Sequence, residues 1–291
     1  MSGPLAGVRV IEVASWTFVP GAGAVLSDLG ADVIKVEPLT GDPQRGLKNL
    51  LNIDRKGPNP FVEIPNHGKR SIALDLSTEG GHEVLLKLVE TADVFLTSYL
   101  PPTRAKLQID VDDLRAVNPK LIYARGTGWG SRGPLAAQAG FDSVAAWAAG
   151  GVAYRLTAPD ADQPLMQPGA FYDLQGSANL AGAVSAALFK LARTGDPSVV
   201  DVSLMSLALW SLAPDLVSAP YVGDVSRFDR FAVGNPLVNW YRTRDGRWLH
   251  FSLLQSDRYW SELCRAIGHP ELIDDPRFAD GTARSENRVE T

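Results

Sequence analysis

The chain has 291 residues, 45% hydrophobic and 21% charged, with 27 glycines and 20 prolines; this is the composition of a globular chain and excludes collagenous, low-complexity and disordered classes. A formal charge of −5 lacks the basic excess that binding a phosphate backbone demands, so nucleic acid is excluded as a partner. The longest charge-free apolar stretch, between Asp201 and Asp215, falls short of the ~20 residues of a membrane helix, and the amino terminus lacks the pattern of a secretion signal; no membrane association and a cytoplasmic location are the expectations.

Short β-branched runs alternate with helical patterns over the first hundred or so residues, the signature of a parallel sheet with crossover helices. VRVIEV (8–13) predicts a buried strand, GAGAVLSDLG (21–30) a helix ending at Gly30, and DVIKVE (32–37) the next strand. SIALDL (71–76) predicts another strand, Ser77 or Thr78 caps a helix running to about Thr91, and DVFLT (93–97) and LIYARG (121–126) are further strands. The Gly- and Ala-rich segment 128–151 reads as a loop leading into a small-residue helix. A long helix is predicted from near Asp173 to Gly195, and a second after VVDVS through LMSLALWSL, ended by Pro214, Pro220 and Gly223. Residues 224–235 read as a linker. Beyond it VNWYRTRDGRWLHFSL carries Asp245-Gly246, a strong hairpin signal, before a helix at RYWSELCRAIG.

Several chemical motifs are approached and missed. Gly128, Gly130 and Gly133 form a GxGxxG string after a strand, but Pro134 and the lack of a following strand ending in an acid defeat the dinucleotide fingerprint. Gly68-Lys69-Arg70-Ser71 resembles the tail of a phosphate loop, yet Glu63 stands where its first glycine is required. No serine is flanked by glycines at both second neighbours. The four histidines lack metal-ligand spacing, so no metal site is expected, and the single cysteine, Cys264, sits in an apolar helical pattern as a core thiol. Asp173 remains. It precedes a Gly/Ala/Ser-rich helix, where an acid either caps the helix or, with Gly176, Ser177 and Ala178 admitting a ligand close to the backbone, does chemistry.

A set of strings in fixed order resembles the class III CoA-transferase family, which also contains the alpha-methylacyl-CoA racemases. They are PLAGVRVIEV, LGADVIKVEPLTGDPQR, NHGKRSIALDL, DDLRAVNPKLIYARGTGWGSRGP, DLQGSANLAGAVSAALF with TGDPSVVDVSL, NPLVNWYRTRDGRW and DDPRFADGTARSENR, spanning Pro4 to Arg288. The resemblance implies an α/β fold: a doubly wound, parallel, Rossmann-like CoA-binding domain over residues 1–224, then a linker and the start of a smaller α+β domain over 225–291. Family chains continue past the point where this one stops, so the C-terminal return segment that finishes the small domain reads as missing. The partners implied are an acyl-CoA, a carboxylic acid acceptor, and either a second copy in an interlocked dimer or a complementary subunit. No cofactor is held permanently; the CoA thioester is substrate.

The resemblance places the nucleophile at Asp173, ionised at neutral pH without a base because a free aspartate has a pKa near 3.9. By the family mechanism it forms a mixed anhydride and then an aspartyl-CoA thioester. CoA contacts are implied for Trp16, Thr17 and Phe18 after the first strand, for Leu74, for Ser98 and Tyr99, and for Lys106, which is otherwise an ordinary solvated lysine. Pro38 and the Ser98-Tyr99-Leu100-Pro101 turn stand where arginines are usual. Phe141 occupies the position of the racemase histidine and Gln255 lies near that of its glutamate; neither exchanges a proton near neutral pH, which favours the transferase over the isomerase. Asp142 matches an acidic position near the reacting centre, or is a helix acid facing solvent, and Gly176 is a further neighbour of the site. A non-catalytic CoA-binding subunit of a split transferase is the remaining alternative.

Overall fold

The computed structural model describes residues 3–47, 57–223, 225 and 227–291. The chain divides into two compact units, Met1–Tyr154 with Leu165–Val225, and Arg155–Pro164 with Ser226–Thr291. The cut expected at residue 224 falls on Asp224, outside the described residues; the second unit also takes in Arg155–Pro164, a segment with no sequence signal of its own.

In the first unit, β1 (Arg9–Val13), β2 (Asp32–Glu37), β3 (Arg70–Ala73), β4 (Val94–Thr97), β5 (Ile122–Thr127) and β6 (Val199–Ser203) form one sheet in the order β3-β2-β1-β4-β5-β6. Every neighbouring pair is parallel, as expected for a doubly wound α/β domain. Successive side chains on a strand point to opposite faces, and both faces of the four inner strands are buried, while the edge strands β3 and β6 are largely exposed or half-buried. Val10, Val33, Val94 and Ile122 join one core with residues of α1 (Phe18–Asp28) and α7 (Phe171–Thr194). Ile11, Ile34, Phe95 and Tyr123 join the other with Leu85 and Val89 of α3 (Glu79–Glu90). Each such side chain contributes about 1.5–3 kcal/mol on burial, which explains strands that read as near-continuous apolar runs.

The remaining helices that begin in this unit are α2 (Pro60–Asn66), α4 (Pro101–Lys106), α5 (Val111–Arg115), α6 (Val152–Leu156), α8 (Leu204–Ser211) and α9 (Ala213–Val222). The structure differs from the sequence expectation at four places. Helix α1 begins at Phe18 instead of residue 21, because Pro20 falls in the first turn, where a missing N–H costs no intrahelical bond. VVDVS is the edge strand β6, too short to be read between two helices. Helix α9 runs through Pro220, expected to break it, and ends two residues later; Pro214 in the first turn costs no intrahelical bond, whereas Pro220 gives up its own. Segment 128–151 ends in a π-helical turn, Ser143–Ala148, before α6.

The second unit holds the predicted hairpin, β7 (Val238–Arg242) antiparallel to β8 (Trp248–Ser252), with Gly246 at φ 83° in the turn, then α10 (Ser256–Ala266) and α11 (Gly281–Glu286). Its core is Leu237, Trp260, Cys264 and Phe278, so Cys264 is the buried thiol its pattern suggests. Among the described residues no helix is long and apolar enough to cross a membrane, and no group of potential ligands could hold a metal ion.

Candidate active site

The chain winds outward from β1 to β3 and then returns past β1 to β4. At such a switch point the loops leaving the C-terminal strand ends diverge and leave a crevice. A cavity of about 370 Å³ occupies it. Ser15 and Trp16 enter it from the loop after β1, Ser98 and Tyr99 from the end of β4, and Gly126 and Gly128 from the end of β5. Phe141 and Asp173 are also part of the lining. Ser98 ties two of these loops together by accepting the N–H of Ser15 at 3.0 Å. The indole of Trp16 meets the ring of Phe141 edge-on, with centroids 5.3 Å apart.

Asp173 stands in the first turn of α7, but it does not cap the helix. The N-cap is Ala170, at φ 57° and without a side-chain bond to the helix. The N–H of Tyr172 is instead taken, at 3.2 Å, by Oδ2 of Asp142, whose Oδ1 takes the N–H of Ser143 at 2.7 Å. Asp142 is therefore a buried acid that anchors α7 to the π-helical turn, which removes the solvent-facing alternative. Among the described residues no donor reaches the half-buried carboxylate of Asp173. Burial, and secondly the charge of Asp142, push its pKa up to about 7. The expectation of a fully ionised carboxylate at neutral pH is thereby corrected: burial in this apolar cavity and the neighbouring acid both favour the protonated form. An acid poised near 7 without a structural hydrogen bond can serve as a nucleophile or a base.

Phe18 and Tyr99 also line this cavity, and Tyr99 alone is shared with a second one of about 410 Å³, bounded by Glu37, Pro38, Leu74 and Leu107. The structure thus brings together Trp16, Phe18, Ser98, Tyr99, Phe141 and Asp173, with Leu74 one cavity away. Other expected residues lie elsewhere. Thr17 is the N-cap position of α1, and its Oγ1 accepts from Nε2 of Gln44 at 2.9 Å behind the wall. Lys106 is exposed at the end of α4 and lines neither cavity; the buried cation of that helix is Arg104, which donates to the carbonyl of Tyr99 at 2.7 Å. Gly176 gives close approach to a side chain of this chain instead of a ligand, because a Cβ there would lie 2.6 Å from Cε2 of Phe18. Ser177 is likewise committed, its hydroxyl donating to the carbonyl of Phe18 at 2.8 Å with that of Asp173 equally near. Gln255 is the N-cap of α10 in the second unit.

Sequence reasoning missed Ser15, Leu100, Thr127, Gly128 and Leu204 in the lining. The available signal was position: residues just past a parallel strand near the reversal of winding gather at one crevice.

The chain belongs to CoA-transferase family III, whose description matches residues 5–291. It is 31% identical over 275 residues to (R)-2-hydroxy-4-methylpentanoate CoA-transferase of Clostridioides difficile, covering 94% of this chain and 68% of that one. It is 34% identical over 296 residues to succinate–glutarate CoA-transferase of Agrobacterium fabrum, covering 99% and 72%. The crystal structure of Rv3272 from Mycobacterium tuberculosis in its orthorhombic form superposes with a TM-score of 0.86 at 34% identity, over 99% of this chain and 74% of that one.

Proposed function

We propose that the chain moves CoA from an acyl-CoA thioester to a carboxylic acid through a covalent intermediate on Asp173. The observation that carries this reading is a carboxylate in the crevice, free of any donor among the described residues and held near a pKa of 7. CoA lies along the two cavities that meet at Tyr99, its nucleotide end beside Leu74 and its thioester end beside Asp173.

The carboxylate oxygen attacks the thioester carbonyl and the CoA thiolate leaves, giving a mixed anhydride. The thiolate then attacks the aspartyl carbonyl, releasing the first acid and forming an aspartyl-CoA thioester. The acceptor carboxylate attacks that carbonyl, again expelling the thiolate. The thiolate finally takes the acceptor's acyl carbon, and Asp173 returns as a carboxylate. The aromatic wall of Trp16, Phe18 and Phe141 keeps water from the anhydrides. Phe141 carries no exchangeable proton, which favours transfer over isomerisation. The test is to incubate the protein with acyl-CoA and hydroxylamine and map the peptides by mass. A hydroxamate at Asp173 supports the mechanism, and an unmodified Asp173 peptide during turnover refutes it.

A further inference from the structure

We propose that Asp42 is a positioning residue for the wall of the crevice: its carboxylate holds Trp16 in a left-handed backbone conformation and so sets where the indole stands in the cavity lined by Asp173. Trp16 has φ 71°, a region where the Cβ of a bulky residue crowds the backbone and which such residues leave unless held. Its N–H donates to Oδ1 of Asp42 at 3.3 Å, and the same oxygen takes the N–H of Gln44 at 2.9 Å. The flanking residues are tied as well, Ser15 by Ser98 and Thr17 by the side chain of Gln44.

Asp42 is itself immobilised. Its Oδ2 lies 2.7 Å from Nζ of Lys35, and its own N–H donates to Oε2 of Glu37 at 2.9 Å. Lys35 also donates to Oδ1 of Asn66 at 2.9 Å and stands 3.6 Å from Oε1 of Glu12. Asp42 and Lys35 are 3% and 2% exposed. An apolar pair of similar volume generally stabilises a fold at least as well as a buried ion pair, so stability alone gives no reason for charges here. A rigid acceptor aimed at a strained N–H does. The held indole in turn meets Phe141 edge-on at an interplanar angle of 89°, fixing two of the rings that face the cavity.

The clamp stands on this geometry; its kinetic consequence rests on the cavity being the acyl-CoA site. Two double variants separate it from a purely structural role. Lys35→Met with Asp42→Asn keeps an acceptor for Trp16, whereas Lys35→Met with Asp42→Leu removes it. Both leave Glu12 paired with Lys69 at 2.5 Å, so neither strands a charge. The proteins are labelled with fluorinated tryptophan, and the Trp16 signal is assigned by its loss in Trp16→Phe. In the Asn pair the Trp16 fluorine signal keeps its place. In the Leu pair it shifts or broadens while those of the other six tryptophans stay, and the KM for acyl-CoA exceeds that of the Asn pair about tenfold with kcat changed far less. If the Leu pair does not fold, Lys35→Met with Asp42→Ala gives the same comparison. An unmoved Trp16 signal, or equal KM values with only a lower melting temperature, overturns the proposal. If the wild-type protein turns over no acyl-CoA, the function proposed above fails, and the Trp16 signal still decides the role of Asp42.

Discussion

The N–H of Tyr172 donates to the carboxylate of Asp142 at 3.2 Å, so the side chain that secures the start of α7 also brings a negative charge beside Asp173. That charge is the second cause, after burial, of the raised pKa of Asp173. In the proposed mechanism the attacking form is the carboxylate, so kcat/KM for acyl-CoA is expected to rise with pH to a plateau above about 7. Asp142→Asn moves the rising limb toward lower pH without returning it to the ordinary aspartate value, since burial remains. Initial rates across about pH 5 to 9 read both effects, and a limb unmoved by Asp142→Asn would show that the two acids do not communicate.

The same shift makes Asp173 a cost to the fold. Its folded pKa is raised, so between 3.8 and about 7 the unfolded chain is ionised while the folded one keeps its proton, and stability falls as pH rises through that window. Above the window both forms are ionised and the penalty stays at its full size. At ~1.36 kcal/mol per pKa unit it is on the order of a few kcal/mol. Asp173→Asn mimics the protonated acid. It is expected to abolish transfer, to raise the melting temperature by several degrees at pH 8, and to leave it near wild type at pH 4. Thermal melts at the two pH values measure this; equal gains at both would place the origin elsewhere than in ionisation.

The parallel sheet was legible because strands buried on both faces leave runs such as VRVIEV and DVIKVE that little else explains. Asp173 was legible as an acid at the start of a small-residue helix, where a cap explained it equally well, and only the family resemblance singled it out as the nucleophile. Its partner relationships were not legible. The hydrogen bond from Tyr172 to Asp142 joins residues thirty positions apart, and the raised pKa follows from burial, which no local pattern encodes. Gly176 and Ser177 misled for a related reason: small residues mark close approach, and only the packed structure shows that the approaching group is Phe18 of α1.

That contact fixes the sign of a substitution. In a helix interior Gly→Ala ordinarily stabilises by about 1 kcal/mol. At Gly176 the new methyl would lie 2.6 and 2.7 Å from ring carbons of Phe18 and 3.1 Å from Cδ1 of Leu207, and overpacking of this kind costs about 1–3 kcal/mol. Gly176→Ala is therefore expected to destabilise the protein in urea unfolding. Adding Phe18→Leu recovers part of the loss, because the two residues touch and their effects do not add. A more stable single variant would mean that the ring moves aside freely.

Tyr99 and Lys106 give the last contrast. Both follow β4, and both are implied CoA contacts, yet Tyr99 is partly buried where the two cavities meet while Lys106 is exposed and lines neither. Tyr99 is also set firmly: its N–H donates to Oγ1 of Thr97 at 3.1 Å, and its carbonyl accepts from the buried guanidinium of Arg104. Removing a fixed aromatic wall that a ligand packs against costs roughly 1–3 kcal/mol, so Tyr99→Ala is expected to weaken CoA binding about tenfold or more by calorimetry. Lys106→Ala, a surface change worth no more than about 0.5 kcal/mol, is expected to alter it by less than about threefold. The reverse ranking would move the nucleotide end of CoA out of the Leu74 cavity and onto the solvent face of α4.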